Sequence, residues 1–135
     1  METLTLKRCY YCKLEKERTQ FRKNKSKKDG LTSSCKSCSD LIKNNKIKEN
    51  QEFVFQWLKL SSCVDCGNKD PLVLDFDHID PIQKKMNVSR MIYKIRSRRK
   101  LIAEIEKCEI RCSNCHRIKT AKEMNYFRFR KTQKA

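Results

Sequence analysis

Apolar side chains are spread unevenly along this chain of 135 residues. Up to Cys38 they are sparse, follow neither a helical nor an alternating period, and are interrupted by the turn signal Asp29-Gly30. From Ser39 to Leu60 the pattern becomes helical. Ser39 or Asp40 can cap the start, no Gly or Pro intervenes, and Phe53, Val54, Trp57 and Leu58 fall on one face. The first half of this stretch is basic (Lys43, Lys46, Lys48), which predicts a connector helix whose far end docks on the C-terminal half of the chain. Its aromatic stripe reads as core, with a base-stacking platform as the alternative.

Beyond Leu60 the punctuation changes. Leu72 to Phe76 is a short β-rich run after the turn at Asp70-Pro71, and Asp80-Pro81 forces a second turn soon afterwards. Asn87 to Lys107 reads as one helix, with Met91, Ile92, Ile95, Leu101, Ile102 and Ile105 as its apolar positions and Arg96, Arg98, Arg99 and Lys100 exposed. Glu109-Ile110-Arg111 suits a return strand. A last helix is expected from Ser113, ending in the basic-aromatic run Tyr126 to Lys131. The pattern divides into residues 1–38, a connector at 39–60, a second unit at 61–127 and a basic tail at 128–135, with no internal repeat beyond the recurring cysteine pairs.

Composition sharpens this picture. Eleven aromatic residues and an apolar fraction of 38% are a thin supply for a self-sufficient core in so small a body. Thirty-three Lys and Arg against sixteen Asp and Glu give a formal net charge of +17. An excess of that size attracts a polyanion, because neutralised phosphates release their condensed counterions. A membrane surface would also require an amphipathic apolar face or a lipidation signal, and neither end of the sequence offers one. Nucleic acid is the expected partner.

Nine cysteines supply the missing cohesion, and eight of them form C-x-x-C pairs: Cys9/Cys12, Cys35/Cys38, Cys63/Cys66 and Cys112/Cys115. Two residues between thiols let both sulfurs meet one tetrahedral ion at a tight turn. The first residues lack the layout of a secretory signal and no stretch is long enough to span a membrane. A cytoplasmic location is therefore expected, where paired cysteines bind metal more often than they form disulfides. The pairs predict two structural four-thiolate zinc sites. Chain order joins the first knuckle with the second and the third with the fourth, with other pairings open. Cys108 is left over, and a buried free thiol is expected there. The first unit reads as a basic zinc ribbon or finger that depends on its metal to fold.

The chain has two histidines, and both adjoin these features. His78 follows Asp77 in the run Leu74 to Pro81, and His116 follows the fourth knuckle. If a helix begins near Ser113, His116 is turned by about 100° from Cys115, off the zinc and across the neighbouring strands. Asp77 and His78 are strand neighbours and should face opposite ways, so serving one site requires the strand to end or bulge there.

The arrangement C-x-x-C-G, then Leu-x-x-Asp-His with Pro81 and Lys84, then C-x-N-C-H-R-x-K-T resembles the HNH endonucleases of the ββα-metal superfamily, over about Ser61 to Lys122. The resemblance implies a small α+β, zinc-stabilised protein with a ββα-metal core, preceded here by the extra N-terminal zinc unit and the connector helix. It implies a divalent ion, usually magnesium with manganese as a substitute, on Asp77 and His116. His78 would be the general base, the substrate would be double-stranded DNA, cut by a monomer with one site, and cleavage would leave a 5′-phosphate and a 3′-hydroxyl. The middle Asn of many members falls near Cys108 here. Asn114 either takes that role, as in C-x-N-C-H-R variants, or caps the last helix. Asp75 and Asp80 read as turn or surface residues.

These residue types suit phosphodiester hydrolysis. An imidazole can act as a base near neutral pH, and magnesium binds through few protein ligands while keeping waters and substrate oxygens. Small stand-alone proteins of this family occur in phages and mobile elements as homing or nicking enzymes, which would place this one in a host cytoplasm. The rival reading is a non-catalytic zinc protein that binds DNA and regulates. It leaves Asp77, His78 and His116 without a task. RNA binding, and thiol redox chemistry through the C-x-x-C pairs, explain still less.

Overall fold

A computed structural model describes residues 5–94 and 97–134. It is a small α+β fold in which the described residues form three two-stranded sheets and five α-helices. The chain divides into two compact units, Met1–Lys48 and Glu49–Ala135. No helix among the described residues is long and apolar enough to cross a membrane.

The first unit contains strands β1 (Leu6–Arg8), β2 (Glu15–Glu17), β3 (Phe21–Lys23) and β4 (Leu31–Cys35), paired antiparallel as β1–β2 and β3–β4. Its core is one aromatic ring among thiols: Phe21, Cys9, Cys35 and Cys38 are buried, with Cys12 and Leu31 packed around them. Helix α1 (Lys36–Lys59) starts directly after Cys35. The expected start at Ser39 or Asp40 is too late by a turn, because the fourth cysteine of the cluster, Cys38, has to sit inside the helix to reach the others.

In the second unit the end of α1 is followed by β5 (Leu74–His78), α2 (Val88–Lys94), α3 (Arg98–Ile105), β6 (Cys108–Cys112), α4 (Ser113–Glu123) and α5 (Phe127–Thr132). Strands β5 and β6 pair antiparallel without a register shift, from Leu74 opposite Cys112 to His78 opposite Cys108. Val54, Val88, Met91, Leu101 and Ile105 form the core, and Phe53, Trp57 and Phe76 pack against it. The aromatic stripe of α1 is therefore core, as its helical spacing suggests. The single helix expected over Asn87 to Lys107 is two helices. Ser97 is extended and its hydroxyl accepts from the Lys100 amide at 3.4 Å, so it caps a fresh start. The apolar period continues across that break and hides it. Ile95 and Arg96, assigned to the single helix, lie outside the described residues.

The two units share a local scheme. Tyr10 and Val64, each following the first cysteine of its unit, donate amides to Ser33 and Ile110 at 2.9 Å; the acceptors lie two residues before Cys35 and Cys112. Lys13 and Gly67, each following the second cysteine, take positive φ and donate to the carbonyls of Cys9 and Cys63 at 2.9 Å. Each unit then pairs two antiparallel strands and enters a helix straight after its third cysteine. Glycine tolerates the left-handed conformation at no steric cost, whereas Lys13 carries some strain and stacks its ammonium on Tyr10, 4.2 Å from the ring centre.

Candidate functional site

The cysteines assemble as chain order suggests. Cys9, Cys12, Cys35 and Cys38 form one cluster and Cys63, Cys66, Cys112 and Cys115 another, with all sulfurs of a cluster within 4.8 Å of each other. None is in a disulfide. A tetrahedral zinc with Zn–S near 2.3 Å needs sulfurs about 3.8 Å apart, and Cys66 and Cys112 stand at 3.7 Å. The Ser37 hydroxyl and nearby amides hold Cys35 down at about 6, and the Cys112 amide helps bring Cys63 to about 6. Cys38 and Cys115 are pushed up by the sulfurs beside them. Gathered thiolates repel one another, and a cation among them removes that conflict. Both clusters can hold zinc.

Cys108 stands apart as a half-buried free thiol. Burial, followed by the charges of Glu104 and Asp77, pushes it up to about 11, so it stays protonated. Its sulfur donates to the Glu104 carbonyl at 3.4 Å.

The second cluster sits where β6 becomes α4, and this junction places His116. The Cys112 sulfur accepts from the Cys115 amide at 3.5 Å and so caps α4, leaving Asn114 exposed on the first turn and not a cap. One residue past Cys115, His116 turns toward β5. Its Nε2 lies 3.5 Å from Asp77 Oδ1, and its Nδ1 lies 3.4 Å from Asp75 Oδ2. Asp75 is thus part of the site and not merely a turn or surface residue. It shares a strand face with Asp77 because side chains two apart do, and that spacing is the sequence signal that marks it.

The other oxygen of Asp77 is occupied by cations. Arg111 Nη1 and Lys119 Nζ both donate to Oδ2 at 2.6 Å. Burial works against ionisation of this carboxyl, but Lys119 and Arg111 more than offset it and hold Asp77 below the usual carboxylate range. Arg111 also binds Asp65, between Cys63 and Cys66, at 2.8 Å and Glu109 at 2.8 Å. One guanidinium thus ties the Cys63–Cys66 knuckle to Asp77.

His78 is held differently. Strand β5 runs unbroken through Asp77 and stops at His78, so there is no bulge. His78 turns away from the Asp77 side and its Nε2 meets Glu104 Oε1 at 2.9 Å. Glu104 is 1% exposed and also takes the amides of Lys85 at 2.8 Å and Met86 at 3.4 Å, and the Lys107 ammonium at 2.8 Å. Burial alone would raise its carboxyl, but Lys107, these amides and His78 bring it down to about 2. An anionic Glu104 can only accept, so Nε2 of His78 carries the proton of this bond. Asp77, His78, His116, Lys84 and Lys119 all line one cleft of about 590 Å³.

The sequence signal for Glu104 is a carboxylate three residues after Leu101 and beside Ile105, on the apolar stripe of its own helix. Its folded value of about 2 lies below the ordinary 4.5. The pair therefore adds stability above pH 4.5 and loses it as pH falls toward 2. Glu104→Gln should be less stable than wild type at neutral pH, by a margin that narrows as pH falls below about 4.5. Denaturant titrations from neutral pH down to about 3 check this; a margin that does not narrow below about 4.5 would mean that Glu104 is not ionised in the fold.

No family model, no curated protein and no solved structure matches this chain.

Proposed function

We propose that the protein is a metal-dependent DNA endonuclease of the HNH type, with the β5–β6–α4 unit as its ββα-metal core and the first unit as an added DNA-binding module. One observation carries this reading: two groups able to hold a metal, Asp77 Oδ1 and His116 Nε2, line the same cleft as His78, whose Nε2 is tied to the buried Glu104. Non-catalytic DNA binding gives that arrangement no task.

The donor set fits a divalent ion such as magnesium or manganese. Adjacent ligands on octahedral magnesium stand about 3 Å apart, and the 3.5 Å between Asp77 Oδ1 and His116 Nε2 needs only a small adjustment. Asp75 on the far nitrogen of His116 fits the usual support of a metal-bound imidazole by an outer carboxylate. Bound there, such an ion polarises a phosphate oxygen and stabilises the leaving oxygen. The chain does the rest. His78 accepts a proton from water at Nδ1, and Glu104 fixes the tautomer and stabilises the imidazolium that results. Lys119 and Arg111 hold the carboxylate of Asp77 in one orientation, and Lys84 brings positive charge to the cleft.

A single site attacks one phosphodiester at a time. The full-length protein with magnesium or manganese should convert supercoiled plasmid to open circles before any linear form accumulates. If no divalent ion yields open circles, the protein is a binding module and not a nuclease.

The first unit carries fourteen Lys and Arg against five Asp and Glu. Its exposed Lys25, Lys27 and Lys28 stand on a loop whose turn is fixed by Asn24, which accepts from the Ser26 amide at 3.0 Å. Replacing these three lysines with alanine should weaken DNA binding. It should also flatten the plot of log affinity against log salt by about 0.9 for each phosphate no longer neutralised. Affinity measured from low to moderate salt tests this, and an unchanged slope would remove the loop from the interface.

A further inference from the structure

The cleft beside Asp77 is not the only opening at His116. A second groove, of about 820 Å³, lies between α4 and α5, lined by Asn114, Arg117, Thr120, Tyr126, Phe127 and Arg128, and shares Asp75 and His116 with the first. The chain is folded back to make it. Asn125 takes a φ of 48°, the Tyr126 amide donates to the Ala121 carbonyl at 2.9 Å, and Arg130 closes onto the Asn125 carbonyl at 2.6 Å. This reversal presents two aromatic rings that the core does not use: Tyr126 is 48% exposed and Phe127 62%.

The lining selects its occupant. Thr120 spends its hydroxyl on the His116 carbonyl at 3.0 Å, so this part of the wall offers little polar chemistry. Arg117 and Arg128 supply positive charge, and the Arg128 guanidinium lies 5.8 Å from the centre of the Phe127 ring. Asn114 brings a side-chain amide with one donor group and one acceptor, the pattern that pairs with a base edge. Flat aromatic faces, cationic surroundings and a single amide suit a nucleobase with its phosphates. The groove falls within the range of about 300–1,000 Å³ typical of small-ligand sites.

We propose that this groove takes an unstacked base of the bound DNA strand, next to the phosphate presented to His116, with Tyr126 and Phe127 as its stacking faces and Asn114 as the group that reads its edge. The position beside the scissile phosphate rests on the endonuclease reading; the choice of a base rests on the lining itself. Asn114 is then a specificity residue of the groove, and sequence preference arises on the catalytic unit as well as on the basic first unit.

The test irradiates full-length, zinc-loaded protein with random-sequence duplexes that carry 5-iodouracil in place of thymine, and no magnesium. Cross-links map to residues by mass spectrometry, and Tyr10 and Tyr11 of the first unit serve as internal comparison. The expected result is cross-linking at Tyr126 or Phe127. Phe127→Ala should lower affinity for the same duplexes by about 10-fold, the order of one base–aromatic stack. With magnesium, Asn114→Ala should change the base frequencies around the cut. Cross-links confined to other residues, or base frequencies unchanged in Asn114→Ala, overturn the proposal. Cross-linking at Phe127 in a protein that never nicks keeps the base groove and removes the endonuclease. Nicking without such cross-links does the reverse.

Discussion

His78→Ala will slow plasmid nicking by about 10²- to 10⁴-fold, the range typical of a lost general base. Zinc content and DNA affinity should stay close to wild type, because His78 contributes no ligand to either thiolate cluster and faces Glu104, away from the Asp77 side. The comparison with His116→Ala gives the result its meaning. That variant removes one of the two proposed ligands of the divalent ion, so part of its loss should return at high magnesium. His78→Ala should not respond, since no concentration of metal replaces a proton acceptor. Rates for both variants across a magnesium series check this. Wild-type nicking by His78→Ala would remove His78 as the general base and with it the HNH assignment of this site, because the chain's one other imidazole is the proposed ligand itself.

The second large effect concerns Cys112. Cys112→Ser should release one zinc per chain and unfold the second unit, with loss of nicking beyond detection. The magnitude comes from two ranges. Structural zinc contributes roughly 10–16 kcal/mol to small zinc-dependent folds, and whole domains are stable by only about 5–15 kcal/mol. Serine makes the test selective. Cys112 caps α4 through its sulfur, and serine is a preferred capping residue, so helix capping survives while the thiolate is lost. The matching change in the first unit, Cys9→Ser, should also release one zinc but leave nicking in place with weaker DNA binding. Elemental analysis, circular dichroism and plasmid assays on the two variants separate these outcomes. Full activity in a zinc-free Cys112→Ser protein would show that the cluster does not position His116.

Legible in the sequence is whatever short, fixed spacings govern. Two residues between thiols are enough to pair Cys63 with Cys66 and Cys112 with Cys115, and the register of a helix start is enough to aim His116 away from the four sulfurs. Hidden from it is whatever depends on the tertiary path. Glu104 is 26 residues from His78 and meets it through a buried bond, so nothing local to either residue reveals the pair. The break between α2 and α3 escapes detection because Leu101 and Ile105 continue an apolar period that suits a single helix equally well. The tie from Arg111 to both Asp65 and Asp77 needs the antiparallel register of β5 and β6, since alternation along a strand does not say which residue lies across from it.

The matching hydrogen bonds around the two thiolate clusters bear on how such a chain can change over generations. Where His116 follows the last cysteine of the second unit, Ser39 follows that of the first, so a shared frame carries an imidazole in one place and a hydroxyl in the other. Each frame closes with its own cysteines and its own amides. Mutational drift in one therefore need not be corrected in the other. The unit without the imidazole is free to vary its surface, while any constraint that the imidazole imposes bears on the other. The two frames can then change at separate rates within one chain.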